Sequence, residues 1–383
     1  MIITREHKDL RETVKKFVEN EINPYCEEWD KKGIFPAHEV FKKCGKLGLL
    51  GINKSPDYGG LGLDYTYGVI ASEALGYSHD MGVSMAIGVQ TDMATPALER
   101  FGSKELKEDF LKPSISGDFV SAIAVSEPGA GSDVAGLKTY AKKDGDDYVI
   151  NGQKMWITNS TQADYFCTLV NTSDGHHHKN KSLIIIPSKT TGVSVGGRIE
   201  KLGLRSSDTA PVFFDNVRVP CRYRIGKEGE GFTLQMLQFQ EERLFAAASL
   251  LIPMEKCIEK TIEYTSQRVV FGKPLLSNQS LHFRLAELKT EIESLRSLIY
   301  RACADYVNGT DVTMMASMTK LKGGRLIREV SDTCLQYWGG MGFTWNNYVS
   351  RVYRDCRLAS IGGGADEVML GIICKLMGTF PKD

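Results

Sequence analysis

Residues 124–139 read AVSEPGAGSDVAGLKT, a glycine-rich loop that follows a predicted strand. Gly129 and Gly131 have no side chains, so backbone N–H groups at this loop can come close to a bound anion. Ser126 and Ser132 add short hydroxyl donors. A structural turn explains such a loop at least as well when the loop is taken alone. The stretch therefore predicts a binding site only in combination with other motifs along the chain.

The patterns on either side of this loop divide the chain into three regions. Residues 1–118 carry apolar residues at helical spacing, and residues 226–383 contain long helical runs. Between them, residues 119–225 show short β-rich runs separated by turn residues, which favours a small β-barrel or sandwich. Strands and helices do not alternate, so a doubly wound nucleotide-binding domain is not expected. The predicted C-terminal helical runs cover residues 232–269, 278–307, 311–338 and 366–377.

Composition argues against several classes of function. The 383 residues carry 47 Lys and Arg against 47 Asp and Glu, so no net charge attracts nucleic acid. No apolar stretch approaches the ~20 residues that cross a membrane. The nine cysteines include no CxxC pair and indicate reduced thiols, and residues 176–178 (HHH) are expected at a hairpin tip, so no metal site is predicted. Residues 1–21 mix charges of both signs, unlike a secretory signal or a transit peptide.

Three further blocks accompany the glycine-rich loop. KMWITNS (154–160) places a Trp next to Thr on a predicted strand, and RVVFGKPL (268–275) continues a long helix into a turn. Taken singly, these two fit a core strand and a helix C-terminus that carries a favourable cation. QYWGGMGFTWNNYVSRVYRD (336–355) interrupts a helical run with three glycines. Such an interruption indicates close backbone approach by a ligand or another chain.

In this order and at these separations, the blocks resemble the acyl-CoA dehydrogenase family over essentially the whole chain. The family's SEPGAGSD block is complete. Its second long motif is present as Gln336, Gly339, Gly340, Gly342, Arg351 and Asp355. The resemblance implies a mainly α fold with a helical N-terminal domain, a central β-barrel and a C-terminal four-helix bundle. It also implies a homotetramer with FAD held between barrel and bundle.

The resemblance assigns a set of residues to the cofactor. They are Val125, Ser126, Gly131, Ser132, Trp156, Ile157, Thr158, Arg268, Phe271, Gln279, Gln336, Gly339, Gly340, Ala365 and Glu367. Trp156 and Thr158 would pack against the flavin ring, and Arg268 and Phe271 would reach the FAD of a neighbouring subunit. Family members usually carry Thr and Gln where this chain has Ala365 and Glu367. A hydroxyl donor is therefore lost at one position, and a negative charge stands near the cofactor at the other.

The reaction implied is the α,β-dehydrogenation of an acyl-CoA thioester to the trans-2-enoyl-CoA. A carboxylate removes the α-proton while the β-hydrogen leaves as hydride to flavin N5. Many members carry that carboxylate in a Tyr-Glu-Gly-Thr stretch. This chain reads IGGGA at residues 361–365, so Gly363 occupies the Glu position. A glycine keeps a backbone N–H for the thioester carbonyl but cannot take a proton.

Glu242 is the predicted replacement for the missing base. In FQEERLF (239–245) it directly precedes Arg243 at the start of a buried helix, where long-chain and isovaleryl-type members place their base. Glu241 points about 100° away around the helix, so only one of the two carboxylates is expected to face the flavin. A solvated Glu pair at a helix start is the structural alternative. The residues expected to line the substrate site are Ser132, Glu241, Arg243, Gly363 and Gly364.

Two other functions remain compatible with the sequence. One is an acyl-CoA oxidase or flavin monooxygenase on the same scaffold, since a fold does not fix a function. The other is a non-catalytic acyl-CoA-binding flavoprotein, suggested by the glycine at the usual base position. The family resemblance further implies electron-transfer flavoprotein as the electron acceptor. It places the enzyme in the mitochondrial matrix of a eukaryote or the cytoplasm of a bacterium, with short branched or long straight acyl chains favoured.

Overall fold

A computed structural model describes residues 1–380 of the protein. The N-terminal region is helical, as the apolar spacing predicts. Its helices are α1 (Arg5–Glu21), α2 (Cys26–Lys32), α3 (Ala37–Lys46), α4 (Tyr65–Leu75), α5 (Met81–Gly88), α6 (Pro96–Phe101), α7 (Lys104–Leu106) and α8 (Lys112–Ile115). Asp64 and Asp80 begin α4 and α5, because each carboxylate accepts a hydrogen bond from the second backbone N–H of its helix. α5 continues directly into a π-helical turn at Val89–Ala94.

The middle region forms one mixed sheet. Its strands are β1 (Ser121–Ala124), β2 (Tyr140–Asp144), β3 (Asp147–Thr158), β4 (Tyr165–Asn171), β5 (Lys181–Pro187), β6 (Val193–Val195), β7 (Thr209–Pro220) and β8 (Arg224–Ile225). The hydrogen-bonded order is β6-β7-β3-β2-β4-β5-β8, and β1 pairs in parallel with β4. β3 and β7 run antiparallel, as do β4 and β5. Both β4 and β5 are buried along nearly their whole lengths, which explains their continuous apolar runs.

The sheet is not closed into the barrel that the sequence led us to expect. β6 and β8 lie at the two ends of the hydrogen-bonded order and share no pairing within residues 1–380. β6 contains three residues and β8 contains two. Such short end strands offer too few backbone N–H and C=O groups to join the two edges. The structure therefore shows a mixed sheet in the middle region, and residues 1–380 show no pairing that closes it into a barrel.

The C-terminal region is helical again. Its helices are α9 (Gly231–Ala248), α10 (Leu251–Gln267), α11 (Gln279–Val307), α12 (Thr313–Trp338), α13 (Tyr348–Asp355) and α14 (Asp366–Leu376), with a small hairpin of β9 (Val269–Val270) and β10 (Lys273–Pro274) after α10. The run predicted over 232–269 is two helices, because Pro253 has no N–H to donate to the carbonyl of Ser249. The helices α9 to α12 pack against one another around a core that includes Leu244, Leu251, Leu288, Ile292 and Ile327.

α9 is the helix on which the three regions meet. It packs against α4 and the π-helical turn of the N-terminal region, against β4 and β5 of the sheet, and against α11 and α12. Its second half is buried on nearly every side, as the apolar segment from Leu244 predicts. A side chain on α9 can therefore face any of the three regions, depending on its position around the helix.

Candidate active site

A buried ion pair connects the glycine-rich loop to strand β3. Lys154 on β3 is fully buried, and its Nζ lies 2.8 Å from Glu127 Oε1 in the loop. The Glu127 carboxylate also accepts hydrogen bonds from the backbone N–H of Lys138 (2.7 Å) and from the N–H (3.0 Å) and hydroxyl (2.6 Å) of Thr139. Lys154 donates further to the carbonyl of Val125 at 3.1 Å. One carboxylate thus joins the two ends of the loop and ties both to the sheet.

Each member of this ion pair influences the pKa of the other. Burial lowers the pKa of Lys154 to about 8, although Glu127 opposes the shift. Burial alone would raise the pKa of Glu127, but the nearby Lys154 ammonium holds it below its ordinary value. Sequence reasoning did not single out either residue. The ion pair could have been suspected from one feature of the sequence. Lys154 stands at an inward-facing position of a predicted strand, and a buried lysine needs a partner of opposite charge.

An open surface with an exposed aromatic ring lies in front of the loop. A β-carbon added to Gly129 or Gly131 would meet no atom within 4 Å. Trp156 is 59% exposed and has a positive φ of 64°, at a register irregularity of β3. Next to it, the side chain of Ile157 is buried in the sheet core, so it is not available to a ligand. The side chain of Val125 is likewise buried.

A second exposed surface lies on the C-terminal helices. Phe271 is fully exposed with φ of +50°, and Gly339 has φ of +55° at the end of α12. Arg268, Gln279, Gln336 and Gly340 are also exposed. The ends of α10 and α12 that carry this surface are joined by stacking of Tyr264 on Trp338, with ring centroids 4.2 Å apart. No hydrogen bond in residues 1–380 links these residues to the glycine-rich loop.

Glu242 on α9 faces the glycine segment that precedes α14. A β-carbon added to Gly363 would lie 3.3 Å from Glu242 Oε1. Glu242 is only 8% exposed, and burial raises its pKa to about 7. The charges of Arg243 and Lys320 oppose this shift in the pKa, whereas Asp92 on the π-helical turn adds to it. The carboxyl group therefore lies next to the place that a side chain at position 363 would fill, and its proton affinity suits a base near neutral pH.

The two neighbours of Glu242 point elsewhere. The Glu241 carboxylate pairs with Arg100 at 2.9 Å and accepts a hydrogen bond from the Tyr306 hydroxyl at 2.6 Å. Arg243 is buried, its guanidinium lies over the ring of Phe239 at 5.6 Å, and its Nε has no partner in the structure. Of the two acidic residues, Glu242 alone thus has its carboxylate against Gly363.

The segment opposite Glu242 is held by α12. Lys320, which sequence reasoning missed, donates a hydrogen bond to the carbonyl of Gly364. Asp366, at the start of α14, lies 3.6 Å from Arg325 and 3.8 Å from Arg328. Ala365 precedes α14 without a capping side chain, and Glu367 is exposed in its first turn. The charge at Glu367 is therefore in contact with solvent.

These surfaces suit a planar, anionic cofactor such as FAD. The exposed Trp156 ring and the space in front of Gly129 and Gly131 leave room for a flat ring system and for backbone N–H donors. The exposed Phe271 and the open space at Gly339 offer a second aromatic and a second place of close backbone approach. The residues present therefore fit the group that the motifs imply.

Further sequence expectations concern metal sites, membrane spans, the cysteines and the three consecutive histidines. In residues 1–380, no cluster of His, Cys, Asp and Glu is arranged to hold a metal ion, and no helix is long and apolar enough to cross a membrane. Each of the cysteines, all of which lie in that range, is a free thiol. The three histidines 176–178 lie exposed in the connection between β4 and β5, as expected for a hairpin tip.

Comparison with known proteins places the whole chain in one family. Family models match residues 4–118 (acyl-CoA dehydrogenase, N-terminal domain), 122–217 (middle domain) and 229–378 (C-terminal domain). The chain is 35% identical to the long-chain specific acyl-CoA dehydrogenase of Sus scrofa mitochondria, over 98% of this chain and 87% of the relative. It is 34% identical to an acyl-CoA dehydrogenase of Bacillus subtilis, over 98% of this chain and 99% of the relative.

The structure agrees with these similarities. It superposes on the crystal structure of an acyl-CoA dehydrogenase from Geobacillus kaustophilus with a TM-score of 0.94, at 34% identity, over 98% of each chain. The family models and this structural match together cover all three regions of the chain. The chain belongs to the acyl-CoA dehydrogenase family.

Proposed function

We propose that Glu242 is the general base of this FAD-dependent acyl-CoA dehydrogenase and takes the α-proton of the thioester. The observation that carries the proposal is the 3.3 Å approach of Glu242 Oε1 to the β-carbon position of Gly363, where many family members carry their carboxylate. Burial supports it further, because it raises the pKa of Glu242 to about 7. A base with this pKa is ionised in a useful fraction at neutral pH and still binds a proton well.

The backbone of Gly363 is proposed to bind the thioester carbonyl. Its N–H makes no backbone hydrogen bond within residues 1–380 and is exposed beside the Glu242 carboxyl. A donor placed at the carbonyl oxygen stabilises the negative charge that develops there as the α-proton leaves. The φ of +64° at Gly363 is readily adopted only by a residue without a β-carbon.

The surfaces described above are proposed to hold FAD. Trp156, Thr158 and Ser126 would hold the flavin ring, and Arg268 and Phe271 would serve the cofactor of a neighbouring subunit. The remaining proposed contacts are Gly131, Ser132, Gln279, Gln336, Gly339, Gly340, Ala365 and Glu367. When bound, FAD accepts the β-hydrogen as a hydride, which no protein side chain can do. The exposure of Trp156 and Phe271 supports this arrangement, because an exposed aromatic ring can stack on a planar ring system.

The proposed assembly is a homotetramer that passes electrons to electron-transfer flavoprotein. Its support is a set of exposed apolar residues in the C-terminal region, consisting of Phe271, Phe283, Met341, Phe343 and Ile361. Light scattering of the purified flavoprotein tests the assembly, and reduction of purified electron-transfer flavoprotein tests the partner. We propose the mitochondrial matrix or the bacterial cytoplasm as its location, according to the source. The proposed domain limits are residues 1–118, 119–225 and 226–383.

One experiment tests the reaction and its substrate class together. The purified flavoprotein is mixed anaerobically with a panel of straight and branched acyl-CoA thioesters, and bleaching of the flavin absorbance is followed. We expect bleaching with short branched or long straight chains. A protein that binds acyl-CoA without bleaching would be a non-catalytic flavoprotein. Rapid oxygen consumption with acyl-CoA and no other acceptor would instead identify an oxidase.

A further inference from the structure

A buried lysine on α12 lies at the segment that faces the proposed base. Lys320 is 2% exposed, and its Nζ donates to the carbonyl of Gly364. A buried ammonium group is costly unless it is hydrogen-bonded and meets opposite charge. The opposite charges that act on Lys320 are those of Asp366, Glu242 and Glu367. The ammonium group therefore lies against the segment that precedes α14, where the charges of these carboxylates act on it.

One face of α12 contacts this segment along about two helical turns. Lys320, Gly324 and Arg328 follow one another at a spacing of four residues, so they lie on one face of the helix. A β-carbon added to Gly324 would lie 2.7 Å from the carbonyl oxygen of Ala359, so the segment touches the helix backbone there. Arg328 lies near Asp366 at the other end of the segment. The position of Gly363 is thus set by α12.

We propose that Lys320 is a positioning residue for the proton transfer. Its hydrogen bond to Gly364 fixes Gly363 against the carboxyl group of Glu242, and its positive charge keeps that carboxyl group ionised at neutral pH. This inference rests on the proposed role of Glu242 as the base.

The charges around Glu242 support this role. The charge of Arg243 acts on it from the same helix, that of Lys320 from α12 and that of Asp92 from the π-helical turn. Burial lowers the pKa of Lys320 to about 8, with Arg243 adding to the shift and the three carboxylates opposing it. Lys320 is therefore mainly charged at pH 7. Burial and Asp92 raise the pKa of Glu242, and without Lys320 only Arg243 would lower it. Glu242 would therefore keep its proton to a higher pH.

Three substitutions separate the charge of Lys320 from its hydrogen bond. Lys320→Gln keeps a donor for Gly364 but removes the charge, Lys320→Met removes both, and Lys320→Arg keeps both. Lys322→Met is the matched control, because Lys322 lies on the same helix but is exposed and paired with Glu291. FAD absorbance and thermal unfolding report whether each variant is intact. The measurements are kcat/KM from pH 5.5 to 9 and the exchange of the α-hydrogen in D2O, both with the acyl-CoA that bleaches the wild type fastest.

We expect the acid limb of the kcat/KM profile to move up by about one pH unit or more in Lys320→Gln, because a nearby opposite charge lowers a carboxyl pKa by about 1–3 units. Below the new limb, kcat/KM should fall about tenfold or more, and activity should recover toward pH 9. Exchange of the α-hydrogen should show the same displacement, which a general loss of folding would not produce. Lys320→Arg and Lys322→Met should keep the wild-type limb.

An unmoved acid limb in Lys320→Gln would overturn the inference. So would a uniform loss at every pH that leaves the limb in place. If Lys320→Met fails to bind FAD, the decision rests on the Gln variant, which tests the charge with the donor retained. Wild-type protein that bleaches with no acyl-CoA of the panel would contradict the proposed function. Wild type that bleaches while the Gln profile is unchanged would contradict the role of Lys320 alone.

Discussion

Glu242 on α9 and Gly363 before α14 are 121 positions apart in the sequence, yet a β-carbon on Gly363 would lie 3.3 Å from the Glu242 carboxylate. The space that a side chain at position 363 would fill is thus next to a carboxyl group that comes from another helix. A chain with glycine at position 363 and glutamate at position 242 therefore keeps a carboxylate at nearly the same place in the site. The first two predictions test this relationship directly.

Replacing Glu242 by Gln should abolish turnover while FAD and acyl-CoA binding are preserved. The amide has nearly the shape of the carboxyl group but cannot accept the α-proton, so the loss should be in kcat. The measurement is anaerobic flavin bleaching beside the visible spectrum and a binding titration. Glu241→Gln is the matched control, since its carboxylate is engaged by Arg100 and Tyr306. A near wild-type rate in Glu242→Gln with a dead Glu241→Gln would move the base by one residue.

Replacing Gly363 by Ala should impair both stability and activity. The φ of +64° costs an alanine about 1–2 kcal/mol, and the added methyl group presses on the Glu242 carboxylate. Gly309→Ala is the matched control, because it has φ of +80° and no atom within 4 Å of the new β-carbon. Both variants should lose similar stability in denaturant unfolding, but only Gly363→Ala should lose kcat/KM. Equal activity of the two would mean that the Glu242 contact has no part in the reaction.

The pH dependence of kcat/KM should reflect the ionisation of Glu242. Burial raises its pKa to about 7, and only the ionised form accepts a proton. Consequently kcat/KM should fall about tenfold per pH unit as the pH drops below 7 and level off above it. Asp92→Asn should move this limb to lower pH, because the Asp92 carboxylate disfavours the charge on Glu242. A limb that stays in place, or moves upward, would exclude Asp92 from the electrostatics of the base.

The sequence predicts the elements whose cause is local and misses those whose cause is a distant contact. The helical and β-rich regions follow from residue spacing, and the family motif favours Glu242 over Glu241. The break between α9 and α10 follows from Pro253, which the apolar pattern alone hides. Closure of the sheet depends on how far β6 and β8 extend, and residue spacing does not fix strand length at sheet edges.

The buried lysines illustrate the same limit within the site. Lys320 and Lys154 occupy a helix and a strand in which a charged residue usually indicates a solvated face. Only the tertiary structure reveals that one meets Gly364 and the other meets Glu127. Conversely, Val125 and Ile157 were expected at the cofactor, and the structure buries both side chains in the core of the sheet region. Their backbone atoms are the parts of these residues that we expect to contact the cofactor.

Replacing Lys154 by Met should destabilise the protein by about 3–5 kcal/mol and release FAD. The change leaves the buried Glu127 carboxylate without its cation, which is more costly than removing the whole pair. Denaturant unfolding and the ratio of flavin to protein absorbance measure the two effects. Adding Glu127→Gln to the Lys154→Met variant should recover part of the stability, because the amide keeps a hydrogen-bond acceptor for Thr139 without a buried charge. Lys142→Met, an exposed change on β2, should alter neither quantity. If Lys154→Met behaves like Lys142→Met, the ion pair does not hold the glycine-rich loop in place.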